Sequence, residues 1–345
     1  MTAIRAPRFK IEELTAALIL LFSNIHMVSA ADETHDYLVT LSSVRARPLA
    51  MGGAYISRRD FFSSLDFNPA GFDLKTETDG FQVSCFLNPL APYLIYENKE
   101  TINHWATPVA WVLRGLGVKT GKYSFGLLFG EEMFSNSERL ERPNFFDGSD
   151  YEWHYNSTVG LSMALAPRVS LGLAADFYSR ALEDSKLIDV GYRYGLILQP
   201  RPSVSVGLSY CDFPNDYRQE RMRLERLADE TLNIGISFTP WRFLTLSLDV
   251  RNVSDEERGA EREPHIGMEW MPFSHVMLRG GFYRISDDKT NVYSCGIGLF
   301  NGNVIQPQER RFQRIMPVLN IAMIWESEPA CMNRWFILSM MLRVW

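Results

Sequence analysis

From about residue 79 onward, apolar residues alternate with small or polar ones along most of the chain. Residues 169 to 178 carry the pattern plainly, with Val169, Leu171, Leu173, Ala175 and Phe177 in one phase and Ser170, Gly172, Ala174, Asp176 and Tyr178 in the other. Successive side chains of a β-strand point to opposite faces, so this alternation predicts strands with one apolar and one small or polar face. It recurs in Val204, Val206, Leu208 and Tyr210, in Leu232, Ile234, Ile236 and Phe238, and in Leu244, Leu246, Leu248 and Val250. Strands are predicted near 79–88, 105–118, 122–132, 152–166, 169–182, 186–199, 203–212, 230–239, 243–252, 263–271, 275–284, 291–300, 316–325 and 335–345. These number about fourteen, an even count as single-chain outer-membrane barrels have.

The links between these segments alternate in kind. Lys119 to Gly121, Pro167-Arg168, Pro200 to Pro202, Pro240 to Arg242 and Pro272 to Ser274 are tight, and the last four carry proline, which fixes φ and removes a ladder donor. The intervening links 133–151, 213–229, 253–262 and 326–334 are longer and polar, and 215–229 has the charge density of a solvated loop or a short helix. A soluble sandwich shares the alternation but has no reason to keep short turns at one end and long loops at the other. A transmembrane antiparallel β-barrel does. The links at 183–185 and 301–315 do not follow the rule, being too short and too long. The expected fold is therefore all-β, a barrel of about fourteen strands with an N-terminal plug, or hatch.

The first thirty residues combine basic Arg5, Arg8 and Lys10, an apolar run from Leu14 to Phe22 and small residues Ser29, Ala30 and Ala31. That order is expected of an export signal, and the run is shorter than the roughly 20 residues a spanning helix needs. The expected organisation is a signal peptide over 1–30, a hatch over 31–76 and a barrel over 77–345, placed in the outer membrane. A net charge of −6 gives no hint of a nucleic-acid partner, and 13% aromatic residues suits interfacial girdles. Cys85, Cys211, Cys295 and Cys331 are scattered without metal-ligand spacing, so free thiols and no metal site are expected, with Cys295 facing lipid. No nucleophile elbow, zinc-protease helix or phosphate loop is present, so neither catalytic residues nor a cofactor is expected.

Between the signal and the first strand stands Arg45-Ala46-Arg47-Pro48-Leu49-Ala50-Met51-Gly52-Gly53-Ala54-Tyr55, followed by Asn68-Pro69-Ala70-Gly71-Phe72. This resembles the N-terminal signature of the FadL/TodX family of outer-membrane transporters and of related PorV-type barrels. Leu248 to Asn252, His265 to Glu269 and Leu278 to Gly281 are similar to later strands of the same family. The resemblance implies a fourteen-stranded barrel with an internal hatch and passive uptake of long-chain fatty acids or other hydrophobic compounds. A barrel that docks or shuttles secreted partners, or a structural outer-membrane protein, is the alternative. The hatch or gate candidates are Gly52, Gly53, Asn68, Pro69, Ala70 and Gly71. Two places depart from the pattern: Arg58-Arg59-Asp60 stands where relatives carry acidic and small residues, and Asp66 where they carry an aromatic or apolar one.

If apolar faces meet lipid, the inward residues include Asp176, Asp189, Arg193, Asp249, Arg251, His265, Glu269 and Arg279. Asp249, Arg251, His265, Glu269 and Arg279 form the expected lumen charge network. Opposite charges there most simply offset each other's desolvation, and the alternative is that Arg251 or Arg279 guides a carboxylate. Expected partners are hydrophobic small molecules such as fatty acids, outer-membrane lipid, and the barrel-assembly machinery through the aromatic C-terminal strand ending at Trp345.

Overall fold

The computed structural model describes residues 37–41, 44–73, 81–89, 91–97, 106–133, 154–182, 185–212, 231–253, 262–273, 276–285, 290–299, 315–327 and 332–344. The expected signal peptide, the charged stretch 215–229 and Cys331 lie outside them. Fourteen strands run antiparallel in sequence order: β2 (Gln82–Leu87), β3 (Leu113–Thr120), β4 (Tyr123–Met133), β5 (His154–Ala166), β6 (Val169–Leu182), β7 (Ser185–Arg201), β8 (Val204–Asp212), β9 (Thr231–Trp241), β10 (Leu244–Arg251), β11 (Glu263–Phe273), β12 (Val276–Ile285), β13 (Thr290–Leu299), β14 (Ile315–Ser327) and β15 (Met332–Val344). The sheet closes where Leu342, Arg343 and Val344 of β15 pair with Leu87, Phe86 and Cys85 of β2. Closure pairs strand edges that hydrocarbon could not solvate.

Alternation sets the two faces of the wall. Leu173, Phe177, Ile236, Phe238, Leu246 and Ile266 are exposed outward, while Ser170, Asp176, Ser237, Ser247 and His265 are buried inward. Cys295 is exposed, as its phase implies, and the described cysteines Cys85, Cys211 and Cys295 are free thiols. One departure from the predicted strands has a physical reason. Residues 106–112, read as the start of a strand, instead form a helix, α4 (Ala106–Val112), and another helix, α3 (Ala91–Glu97), precedes it. Pro92 and Pro108 fall in the first turns of these helices, where a missing N–H leaves nothing unpaired, whereas in a ladder each would delete a bond. The structure also adds a strand that periodicity did not reveal. β1 (Tyr37–Leu41) runs parallel to β15, pairing Tyr37 with Arg334 through Leu41 with Leu338.

Residues 44–73 pack against the inner wall as α1 (Ala46–Ala50), α2 (Phe62–Phe67) and a 3-10 turn (Pro69–Gly71) joined by tight bends. Apolar side chains of this segment form clusters with the wall: Leu49 and Ala50 with Val292, Ala322 and Ile337, and Phe62, Leu65 and Phe72 with Phe86 and Leu128. The segment fits because the inward phase of the wall repeatedly carries glycine. A β-carbon built on Gly172 would stand 2.0 Å from Ala70 N, one on Gly207 2.1 Å from Ile56 O, and one on Gly281 2.0 Å from Gly52 N. Adjacent Gly280 faces the other way, and its nearest such neighbour is Ser294 O at 3.9 Å. The pair offers a matched comparison. Gly281→Ala should lower unfolding stability by about 1–3 kcal/mol, the usual cost of overpacking, while Gly280→Ala should leave it nearly unchanged. Denaturant titration of both variants in one detergent checks this, and equal stabilities would contradict the close fit.

Candidate functional site

The first anchor is a backbone reversal after α1. Gly52 and Gly53 have φ of 62° and 71°, the left-handed region that glycine enters without steric cost. Their carbonyls are thereby turned to the wall, where Arg251 Nη2 donates to Gly53 O at 2.8 Å. His265 Nδ1 lies 2.6 Å from Gly52 O, and since a carbonyl only accepts, Nδ1 carries the hydrogen. The imidazole stacks on Tyr283, with ring centres 4.4 Å apart. Gly52 N–H donates to Ser294 Oγ at 2.9 Å. Asp249 Oδ2 accepts from the backbone N–H groups of Tyr55 at 2.6 Å and Ile56 at 2.9 Å. Three of the predicted lumen residues thus bind the main chain of residues 52–56.

The second anchor centres on Glu269, which is fully buried. Arg47 meets its carboxylate in a fork, Nε to Oε2 at 2.8 Å and Nη2 to Oε1 at 2.7 Å. Arg58 Nη2 reaches Oε1 at 3.0 Å, and Arg279 Nε reaches Oε2 at 2.8 Å while its Nη1 donates to Asn320 Oδ1 at 2.8 Å. Arg47 Nη1 also stands 2.8 Å from Asp60 Oδ2, and the Tyr55 hydroxyl donates to the same oxygen at 2.5 Å. Two guanidiniums come from the plug and one from the wall, so the carboxylate joins the two bodies. Charge-assisted, forked pairs of this kind are the strong hydrogen bonds of protein interiors.

A third anchor lies on the opposite wall. Asp66 pairs with Arg45 Nε at 2.8 Å and more loosely with Arg193 Nη2 at 3.5 Å. Arg193 is forked onto Asp176, with Nε to Oδ2 at 2.6 Å, and the Thr158 hydroxyl donates to Asp176 Oδ1 at 2.6 Å. Burial alone would raise the Asp66 carboxyl, but Arg45 and then Arg193 outweigh it and hold the group below its ordinary value. Burial likewise opposes the ionised form of Asp60, and Arg47 with the Tyr55 hydroxyl again overrides it.

Asn68 explains the predicted Asn-Pro-Ala-Gly motif. Its Oδ1 accepts from Ala70 N–H at 3.1 Å, while its Nδ2 donates to Ile56 O at 2.7 Å and Leu208 O at 3.1 Å. Pro69 starts the 3-10 turn, Ala70 O accepts from Ser170 Oγ at 2.9 Å, and Gly71 O accepts from Asp60 N–H at 3.0 Å. A β-carbon on Gly71 would stand 2.2 Å from Arg58 O. The structure therefore gathers Gly52 and Gly53 with Asp249, Arg251 and His265, joins Glu269 and Arg279 to Arg47 and Arg58, and sets Asn68 to Gly71 against β5 to β8. The side chain of Asp189 lies outside the described residues. Sequence reasoning did not find the plug-side roles of Arg45, Arg47, Asp60 and Asp66, which sit in helices and bends too short to carry a period. The inward glycines were legible as a phase but not as a seat.

No protein-family model matches the sequence, and no curated protein matches it. Solved structures similar to this chain include the toluene transporter TodX of Pseudomonas putida, at 11% identity and a TM-score of 0.48, covering 90% of this chain and 98% of that one. The toluene transporter TbuX of Ralstonia pickettii has 12% identity and a TM-score of 0.47, covering 88% and 98%. The monoaromatic hydrocarbon channel CymD has 10% identity and a TM-score of 0.46, covering 88% and 96%.

Two outcomes follow for the anchors. Glu269→Gln removes a charge that three guanidiniums share, and breaking a buried pair from one side costs about 3–5 kcal/mol. Denaturant unfolding should show a loss of that size, and protease should cleave between residues 44 and 73 faster than in wild type. The depressed carboxyls of Asp60 and Asp66 contribute stability that is complete above the ordinary value of 3.8 and is lost as pH falls through their lower folded-state values. Protection of residues 44–73 should therefore hold from neutral pH down to the ordinary carboxylate range and collapse only below it. Hydrogen exchange across an acid series checks this, and loss of protection near neutrality would contradict it.

Proposed function

We propose that this protein is an outer-membrane channel for passive uptake of hydrophobic compounds, exported by residues 1–30, with the hatch of residues 31–76 controlling access through the barrel of residues 77–345. The observation that carries the reading is how the plug is held. Between two separate apolar clusters, it is seated by ion pairs and hydrogen bonds to a closed, externally apolar wall. Polar latches of this kind can be exchanged for water when the plug shifts, and no bond within the wall has to break. The N-terminal resemblance to the FadL/TodX signature supports the same role. In this reading Gly52, Gly53 and Asn68 to Gly71 are gate elements, because they set the two reversals that the wall grips. Asp249, Arg251, His265, Glu269 and Arg279 hold the gate shut and do not bind cargo, since each is already directed at the plug or at its neighbours in the network.

Long-chain fatty acids are the finer expectation, and aromatic hydrocarbons are the comparison that matters most. The test is uptake of a labelled fatty acid and of toluene into vesicles carrying the purified barrel, with mass spectrometry of whatever co-extracts from the native membrane. Wild type should pass at least one of the two, and Arg47→Gln, which loosens the Glu269 latch, should pass it faster. Neither compound bound or passed by either protein would refute uptake and favour a barrel that docks secreted partners.

A further inference from the structure

The short-turn end of the barrel carries a charge pattern that uptake does not use. Four described turns join β3 to β4, β5 to β6, β7 to β8 and β9 to β10, and each bears an exposed cation: Lys122, Arg168, Arg201 and Arg242. The turn sequences are Thr120-Gly121-Lys122, Ala166-Pro167-Arg168, Pro200-Arg201-Pro202-Ser203 and Pro240-Trp241-Arg242-Phe243, with no aspartate or glutamate in any of them. The chain as a whole has 41 acidic and 35 basic residues, so composition does not account for four consecutive basic turns without an acid. Asp73, on the plug at the same end, is taken up by Lys119 at 2.9 Å.

The cations stand where the apolar belt stops. Trp241 and Phe243 flank Arg242, both exposed, with their rings stacked 5.8 Å apart and 7° from parallel. Tyr123 follows Lys122 and stacks on Phe125 with centres 6.5 Å apart. Aromatic rings of this kind mark the level of the lipid head groups. Two of the turns are also fixed to each other, because Arg168 Nη1 donates to Pro200 O at 3.1 Å and Gln199 N–H donates to Arg168 O at 2.8 Å. The result is an arc of positive charge beside the aromatic rings, with proline in three of its four turns.

We propose that this arc binds the phosphates of anionic phospholipids in the leaflet at the short-turn end and enriches them around β3 to β10. Charge complementarity selects the occupant: a zwitterionic lipid offers the same phosphate but cancels its charge within the head group, whereas an anionic one leaves it whole. The inference rests on the barrel spanning a membrane and not on what it transports. Each basic residue near an anionic surface favours association about fivefold, and the effect is screened by salt.

The test reconstitutes the full chain in nanodiscs containing phosphatidylcholine and phosphatidylglycerol, and compares wild type with a variant carrying Lys122→Gln, Arg168→Gln, Arg201→Gln and Arg242→Gln. Native mass spectrometry of retained lipid should show a preference for phosphatidylglycerol in wild type that falls at least about tenfold in the variant. The corresponding variant with the three arginines changed to lysine should keep it. Heat-modifiable migration on gels verifies that each barrel is folded, and vesicle uptake, measured separately, should be unchanged in the glutamine variant. Equal lipid preference in wild type and glutamine variant overturns the proposal. So does a rim that ignores phosphatidylglycerol yet binds a polyglutamate peptide, which would assign the arc to an acidic protein.

Discussion

Irregular backbone inside a narrow barrel must find a partner for each polar group while touching a wall built for side chains. Residues 44–73 meet that demand through the wall itself. Where the plug backbone runs against the strands, the wall gives up side chains at Gly172, Gly207 and Gly281, and where it turns, the wall presents Asp249, Arg251, His265 and Ser294 to its carbonyls and N–H groups. The two devices depend on each other. Glycine lets the chains approach within hydrogen-bonding range, and the polar side chains then prevent the approach from burying unpaired amides, which would cost several kcal/mol each in an apolar setting, of order 1–3 by mutational measure.

Charge follows from the same constraint. Glu269 alone on the wall would be prohibitively desolvated, and so would Arg47 on the plug, but together with Arg58, Arg279 and Asp60 they form a cluster in which each member is the other's solvent. Asp66, Arg45, Arg193 and Asp176 repeat the arrangement on the far side. A plug anchored at two such points has a sharp requirement for release. Separating the partners is costly until water or another charged group enters, so the seated position of the plug is well defined.

How far this could be read from the sequence depends on periodicity. The strands were legible because alternation runs the full height of the wall: β6 begins and ends at residues 169 and 182, where the pattern places it, and most other strands agree to within a few positions. The inward placement of Asp249, Arg251, His265, Glu269 and Arg279 came from the same phase. Their partners did not, since Arg45, Arg47, Asp60 and Asp66 lie in five- and six-residue helices and bends whose pattern is set by contacts up to 222 residues away. The two departures from the family signature proved informative instead. Arg58 contacts Glu269 and Asp66 contacts Arg45, so what interrupted a motif was one half of an ion pair. Pro108 was misread within a strand because a proline is compatible with both a strand boundary and a first helical turn, and only the neighbouring α3 decides between them.

The seam of the barrel shows a different solution to the same bookkeeping of backbone groups. β2 is six residues long and β15 thirteen, and among the described residues the two share three pairs at the short-turn end. Beyond Leu87 the chain leaves the wall for α3 and α4, which would leave the edge of β15 from Arg334 to Leu338 without a ladder partner. An unpaired edge at membrane depth is not tolerated. β1 fills that stretch in parallel, from Tyr37 beside Arg334 to Leu41 beside Leu338, and ends three residues before the plug segment at residue 44. The direction of β1 is thus tied to the position of α1. A plug that must reach the inner wall from residue 44 onward brings, in the residues just before it, the strand that completes the wall.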